Sequence, residues 1–150
     1  MFGDKVTIYK KVKTLTPVDA AYIAGLIDGE GTISLSRKHR LDNRQLVVSI
    51  SSTEGMLLEY VKEVVGAGTI TNKRTYKNNH TPSKTYQISN RQALDLLNQI
   101  ASFLKSYKAD RANLILGHYL RLTPRNGRYT DCQREEREIF IKKFLDTRPS

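Results

Sequence analysis

Two carboxylates, Asp28 and Glu30, stand one glycine apart and just before another in the run Ile23-Ala24-Gly25-Leu26-Ile27-Asp28-Gly29-Glu30-Gly31. Carboxylate and backbone-carbonyl oxygens are the hard donors that Mg²⁺ takes, and a site that also borrows substrate phosphates needs only one or two acids from the protein. A pair of such ions meets the demands of phosphodiester hydrolysis: an activated water, neutralised phosphoryl charge, and help for the leaving oxygen. Taken alone, the string is as well explained by a buried amphipathic helix with a glycine cap and two solvated acids. What positions the acids therefore decides their meaning.

They are positioned by a helix that ends where they stand. Thr16 is a good N-cap, Pro17 suits the first helical position, and Asp19 sits third, where its charge favours the exposed N–H groups. From Val18 onward the residues are apolar or small up to Asp28, and Gly29 and Gly31 then end the helix and turn the chain into a strand. Ala21, Gly25 and Gly29 recur four apart, so they share one face and let a second backbone come close.

The nine-residue run resembles the LAGLIDADG motif of homing endonucleases, with Ile for the first Leu, Gly for the second Ala and Glu for the second Asp; six of the nine positions are identical. The resemblance implies two such helices packed across a pseudo-two-fold axis, with Ala21, Ala24, Gly25 and Asp28 at the dimer interface. It implies that the acid at the eighth position, Glu30, is catalytic and holds Mg²⁺, with Mn²⁺ as a substitute, and that Gly29 adds its carbonyl. Asp28 then serves the helix end and the interface. No second string of this kind occurs, so a homodimer is expected.

A second stretch, Phe103-Leu104-Lys105-Ser106-Tyr107-Lys108 followed by Ala112-Asn113-Leu114, is similar to the segment of homodimeric members that delivers a pocket lysine beside the scissile phosphate. Lys108 is implied to stabilise developing charge or order the water. Where such members place a water-organising glutamine, at the end of the second strand, this chain has Ser51 and Ser52, and the position is assigned to Ser52. A pocket arginine found in some members has no counterpart; Glu54 occupies its neighbourhood.

The rest of the chain agrees with a nucleic-acid partner. Its 150 residues fit one domain, and 39% hydrophobic against 27% charged residues fits a globular fold with a real core. The 25 basic and 15 acidic residues leave a formal net charge of +10, which calls for a polyanion. A membrane surface competes poorly, because no apolar run approaches ~20 residues and no N-terminal signal is recognised. Cys132 is the single cysteine, excluding an intrachain disulfide and a cysteine zinc site. An intracellular, soluble protein in a DNA-containing compartment is expected.

Along the chain, residues 1–15 read as an arm, 16–122 as the core, and 123–150 as a C-terminal loop and helix of the same domain. Thr32 to Ser36 and Gln45 to Ser51 alternate as a hairpin around a basic turn. A helix capped by Thr53 follows, with Leu57, Tyr60, Val61, Val64 and Val65 as its stripe. Thr69, Thr71 and Lys73 mark a third strand, Thr85, Gln87 and Ser89 a fourth, and Asn90 caps a helix carrying Ala93, Leu94, Leu97, Ile100, Ala101 and Leu104. The order is αββαββα, an α+β fold with four antiparallel strands and helices on one face; it is also the core that the resemblance implies. A helix over 108–122 and a last one, opened by a Thr130–Gln133 capping box and ending near Leu145, complete the chain.

The uncovered face of that sheet is the expected DNA surface. Thr32, Ser34, Ser36, Gln45, Ser49, Ser51, Thr69, Thr71, Thr85 and Gln87 can donate and accept at base edges, while Lys38, Arg40, Arg44 and Lys73 can reach phosphates. The function implied is a site-specific homing endonuclease that makes a metal-dependent double-strand break at a long pseudo-palindromic site. Two alternatives share the fold: a non-cleaving DNA-binding protein, and an intron maturase whose Tyr76 and Tyr86 stack on unpaired RNA bases. A structural RNA-binding protein would explain the charge but not the helix exit.

Overall fold

A computed structural model describes residues 11–72, 82–124 and 128–150. The first helix, α1 (Pro17–Glu30), opens as its sequence dictates: Thr16 Oγ1 accepts the amide of Asp19 at 3.1 Å, and Pro17 takes the first turn, where its missing N–H costs nothing. Strands β1 (Gly31–Ser36) and β2 (Gln45–Ser52) follow, then α2 (Gly55–Val65), β3 (Thr69–Asn72), β4 (Lys84–Ser89), α3 (Asn90–Ile100) with a 3₁₀ turn over Ala101–Phe103, α4 (Tyr107–His118) and α5 (Asp131–Asp146).

The sheet is antiparallel throughout, in the order β1-β2-β4-β3, so the two hairpins meet through β2 and β4 at its centre. Alternation drives one face inward: Ile33, Leu35, Leu46, Val48, Ile50, Tyr86 and Ile88 are buried. Against them pack Ile23, Ala24 and Ile27 of α1, Leu58, Val61 and Val65 of α2, and Ala93, Leu96, Leu97 and Ile100 of α3. Each large aliphatic side chain buried this way contributes about 1.5–3 kcal/mol. The α+β architecture with helices on one face of four antiparallel strands is the one expected.

Details shift at the element ends. Glu54, not Thr53, holds the N-cap position of α2 and makes no side-chain cap bond; Leu58 takes a core place the sequence stripe gave to Leu57. Ser89 precedes α3, and Asn90 is its first residue with φ 54°, a left-handed conformation that asparagine tolerates. Gly68 is required twice, by φ +101° and by the Tyr86 ring, which a Cβ would meet at 2.5 Å. The Thr130–Gln133 capping box forms as predicted. Residues 11–15 are held to the core rather than free: Lys13 N donates to Val65 O at 2.8 Å, and Leu15 N to Gln99 Oε1 at 2.7 Å. The first ten residues of the expected arm lie outside the described residues, as do Lys73, Tyr76 and most of the β3–β4 loop.

Candidate functional site

The two acids at the end of α1 have opposite surroundings. Asp28 is half-buried and accepts three hydrogen bonds, from Lys105 N at 2.8 Å, Ser106 N at 3.2 Å and Ser106 Oγ at 2.5 Å. It thereby caps the start of α4, where a negative charge complements the helix dipole. Burial pushes its carboxyl up, but the Ser106 hydroxyl, the two amides and the nearby Lys108 ammonium together hold it below its ordinary 3.8. Glu30 is exposed, and among the described residues its carboxylate makes no hydrogen bond. Glu30 is the acid left available to a metal.

Lys108 is only 8% exposed, and it does not reach outward. Its Nζ donates to Ile27 O at 2.8 Å and Asp28 O at 2.9 Å, plugging the carbonyl end of α1. A cation there offsets the dipole and satisfies carbonyls that the helix leaves open. Burial pulls its pKa below the ordinary lysine value; Arg111 acts in the same direction, against the attraction of Asp28 and Glu30. The pair of contacts spares the Gly29 carbonyl, the next one along. Lys108 and Asp28 thus clasp the α1 exit from two sides, one by its carbonyls and one through its side chain.

Gly31 then turns the chain sharply. A Cβ there would lie 2.7 Å from Ile27 Cα and 2.9 Å from Ser49 O, both backbone atoms that cannot yield. The absence of a side chain lets β1 start directly under the last helical turn, pairing Gly31 with Ile50. Glu30 consequently sits at the head of the Thr32, Ser34, Ser36 row on the open face.

That face is organised in cross-strand rows. Thr32, Ser49, Gln87 and Thr69 align across all four strands, with Thr32 Oγ1 and Ser49 Oγ 2.7 Å apart. Ser51, Thr85 and Thr71 form the next row, and the Ser51 and Thr85 hydroxyls lie 2.9 Å apart. Ser34 Oγ donates to Val47 O at 3.3 Å, and Ser36 pairs with Gln45 at the far end. Lys38 and Arg40 are exposed in the β1–β2 loop.

Several expected site residues are placed differently. Ser52 alternates to the helix side, and its Oγ accepts the amide of Glu54 at 3.0 Å, so it organises the turn into α2 rather than a water at Glu30. Arg44 is half-buried, with Nη1 on Leu35 O at 3.0 Å, bracing the hairpin. Tyr86 is fully buried and donates to Ala67 O at 2.6 Å, which removes it as a stacking platform; Tyr76 lies outside the described residues. Ala24 is fully buried with Ala20, Ile23 and Ile27, so it faces the core and not a partner. Asp28 is likewise committed to α4.

The other face of α1 is open. Ala21, Gly25 and Gly29 are exposed beside Val18, itself 79% exposed, and Tyr22, which meets Tyr60 edge-on at 5.4 Å. Methyl groups built at Gly25 and Gly29 meet nothing within 4 Å. A helix apolar on every side is normally buried on every side.

Two arginines escaped the sequence reading. Arg111 donates to Ile33 O at 2.9 Å and Thr147 O at 2.8 Å, and lies over the Tyr107 and Phe144 rings, fastening β1 to both C-terminal helices. Arg137, only 5% exposed, ties α5 to the hairpin. Its spacing three and seven residues before Phe140 and Phe144, the buried side of α5, is the one local signal of this.

Among the described residues no three of His, Cys, Asp or Glu come together to hold a metal alone. At the α1 exit the described residues therefore offer a divalent ion the Glu30 carboxylate and the Gly29 carbonyl. That donor set suits Mg²⁺ if phosphate oxygens, water or a second chain complete it. No helix among the described residues is long and apolar enough to cross a membrane.

Residues 17–107 match a family described as the LAGLIDADG-like domain. Among solved structures the chain is similar to the homing endonuclease I-CvuI in complex with its target, with TM-score 0.70 and 17% identity over 89% of this chain and 83% of that one. It is also similar to the archaeal intron-encoded homing endonuclease I-Vdi141I complexed with DNA, at TM-score 0.58 and 19% identity over 89% and 86%. The homing endonuclease I-LtrWI bound to target DNA matches with TM-score 0.56 and 18% identity over 99% of this chain but 50% of its own. No curated protein sequence matches.

Proposed function

Because the chain belongs to the LAGLIDADG-like family, we propose that it is a site-specific DNA endonuclease that acts as a homodimer and uses Mg²⁺ to break both strands. The observation that carries this is the division of labour at the α1 exit: Asp28 is spent on α4, and Glu30 is held out, unbonded, at the head of a polar sheet face. A merely structural helix end has no need of a clasp on both sides of a free acid.

The exposed face of α1 supports the second copy. Two helical glycines with open space over them weaken this helix without serving this chain, whereas they would let a symmetry-related α1 approach closely. Such packing brings two Glu30 carboxylates together at the axis.

Bound divalent ions would supply the activated water and neutralise charge at the scissile phosphate. The chain does the rest. Glu30 and the Gly29 carbonyl hold and orient the ion site, and the Lys108 ammonium fixes the turn that carries both. The serine and threonine rows read base edges in the major groove, with Lys38 and Arg40 on phosphates. Two-fold symmetry makes the preferred site roughly palindromic. Its expected role is to cut an allele that lacks the host intron.

The test is a cleavage selection from a randomised palindromic duplex library in Mg²⁺ and in Ca²⁺, with the cut ends sequenced. Defined, symmetric cuts in Mg²⁺ that disappear with Glu30→Gln are expected. Retention of the same DNA without cuts by either protein would make this a DNA-binding protein, and preferential retention of structured RNA would make it a splicing factor.

A further inference from the structure

A cleft of about 900 Å³ opens between the end of the β1–β2 hairpin, the first turn of α3, the end of α4 and the loop before α5. Its walls include Arg44, Arg91 and Arg137, and among the described residues no acidic side chain lines it. The most buried of these, Arg137, has only neutral partners: Nη1 donates to Leu122 O at 2.6 Å and Thr123 Oγ1 at 2.8 Å, and Nη2 to Arg44 O at 2.6 Å. Its Nε is buried with no hydrogen-bond partner among the described residues. A guanidinium that is 95% buried, paired with no carboxylate among the described residues and short of one acceptor is an uncommon state, because a charge taken out of water needs compensation.

The first turn of α3 adds to the same field. Asn90, Arg91 and Gln92 line the cleft, and Ser89 at the N-cap supplies no side-chain cap bond. Helix N-termini carry unmet amides and partial positive charge, which is why phosphates settle there. Tyr129 closes the wall, with the Arg137 guanidinium 5.5 Å from its ring centroid.

We propose that this cleft is a phosphate anchor for the DNA backbone, at the end of the sheet remote from Glu30; this rests on the nuclease reading above. Gln45 and Ser89, at its rim, are also the last residues of the open sheet face, so a duplex lying on that face runs to the cleft mouth. Gly31, next to Glu30, pairs with Ile50 of β2, and the cleft begins at Gln45, so the anchor is about 17–20 Å from the acid along the strand. At roughly 3.4 Å per base pair that is five or six pairs outward from the cut. Guanidinium groups there would fix the register of each half-site while reading no base.

The experiment measures duplex affinity over a salt series by fluorescence anisotropy for the wild-type chain, for Arg91→Ala at the exposed cleft rim, and for Lys142→Ala on the outer face of α5 as control. Arg91→Ala leaves the buried Arg137 cluster intact, so folding is not at issue, and circular dichroism checks it. Expected for Arg91→Ala is weaker binding and a log–log salt slope smaller by about one, with the control unchanged. On a duplex carrying single methylphosphonates, wild-type binding should drop for substitutions five or six pairs from the cut, and Arg91→Ala should be blind to them. Tight wild-type binding with an unchanged slope in Arg91→Ala, or with no sensitive phosphate at that distance, would overturn the anchor and leave the nuclease standing. A loss confined to structured RNA would also overturn it. A wild-type chain that binds no duplex would bring down both.

Discussion

Gly25→Ala should change stability and association in opposite directions. Gly25 lies mid-helix on the face of α1 turned away from the core, and a methyl there meets nothing within 4 Å of this chain. Glycine in a helix interior costs about 0.5–1 kcal/mol relative to alanine, and nothing inside the chain offsets it. In the separated chain the substitution should therefore stabilise by about 0.8 kcal/mol, raising the melting temperature by roughly 2–3 °C for a protein of this size. In a dimer joined through α1, each chain would add one methyl to a close helix crossing. At about 1–3 kcal/mol per overpacked group, two of them weaken association by roughly 2–6 kcal/mol, or about 30-fold at the least. Sedimentation across a concentration series reads the dimer, and circular dichroism at a dilution where single chains prevail reads the melt. A Gly25→Ala protein that dimerises as tightly as wild type, or a wild type that never associates, would refute the reasoning; so would a lower melting temperature in the dilute chain.

Other substitutions separate placement from chemistry. Gly31→Ala drives a Cβ against the Ile27 and Ser49 backbones and should cost about 1–3 kcal/mol in urea unfolding, while Gly29→Ala, in open space, should not destabilise the single chain. Asp28→Asn should lower stability at neutral pH, and the gap to wild type should close in acid. The folded carboxyl titrates below its unfolded value near 3.8, so its contribution is complete above that pH and is lost as pH falls through the lower folded value; unfolding midpoints from pH 7 to pH 2 check this. Lys108→Met should stay folded, within about 1 kcal/mol of wild type, because lost contacts and relieved burial of the ammonium offset one another. Its DNA affinity should persist while single-turnover cleavage falls by about tenfold or more, since the turn holding Glu30 loosens.

Much of this was legible in the sequence because it is written in local rules. Thr16, Pro17 and the glycines announce where α1 starts and stops, and strict alternation in β1, β2 and β4 assigns each strand a wet and a dry side. The Thr130–Gln133 box was readable for the same reason. What stayed hidden depends on contacts across the chain. Lys108 reads as an outward-reaching lysine at a helix start, and only the fold brings its ammonium to the α1 carbonyls 80 residues away. The resemblance separates Glu30 from Asp28, but that Asp28 is spent on Lys105 and Ser106 takes the fold to show. The resemblance puts Ala24 at the dimer interface, but it falls on the Ile23–Ile27 side of the helix and is core. Arg137 shares the Phe140–Phe144 side of α5, but an arginine reads as solvated, and only the fold shows the carbonyls that hold its guanidinium inside.

The most direct measurement is single-turnover cleavage of the selected duplex by wild type, Glu30→Gln and Asp28→Asn, with affinity measured in parallel. Expected is Mg²⁺-dependent breakage of both strands by wild type, abolished in Glu30→Gln by at least about a hundredfold with binding intact, and retained in Asp28→Asn wherever that protein is folded. Cleavage by Glu30→Gln at the wild-type rate, or cleavage that persists without a divalent ion, would contradict the assignment of Glu30 as the metal-holding acid.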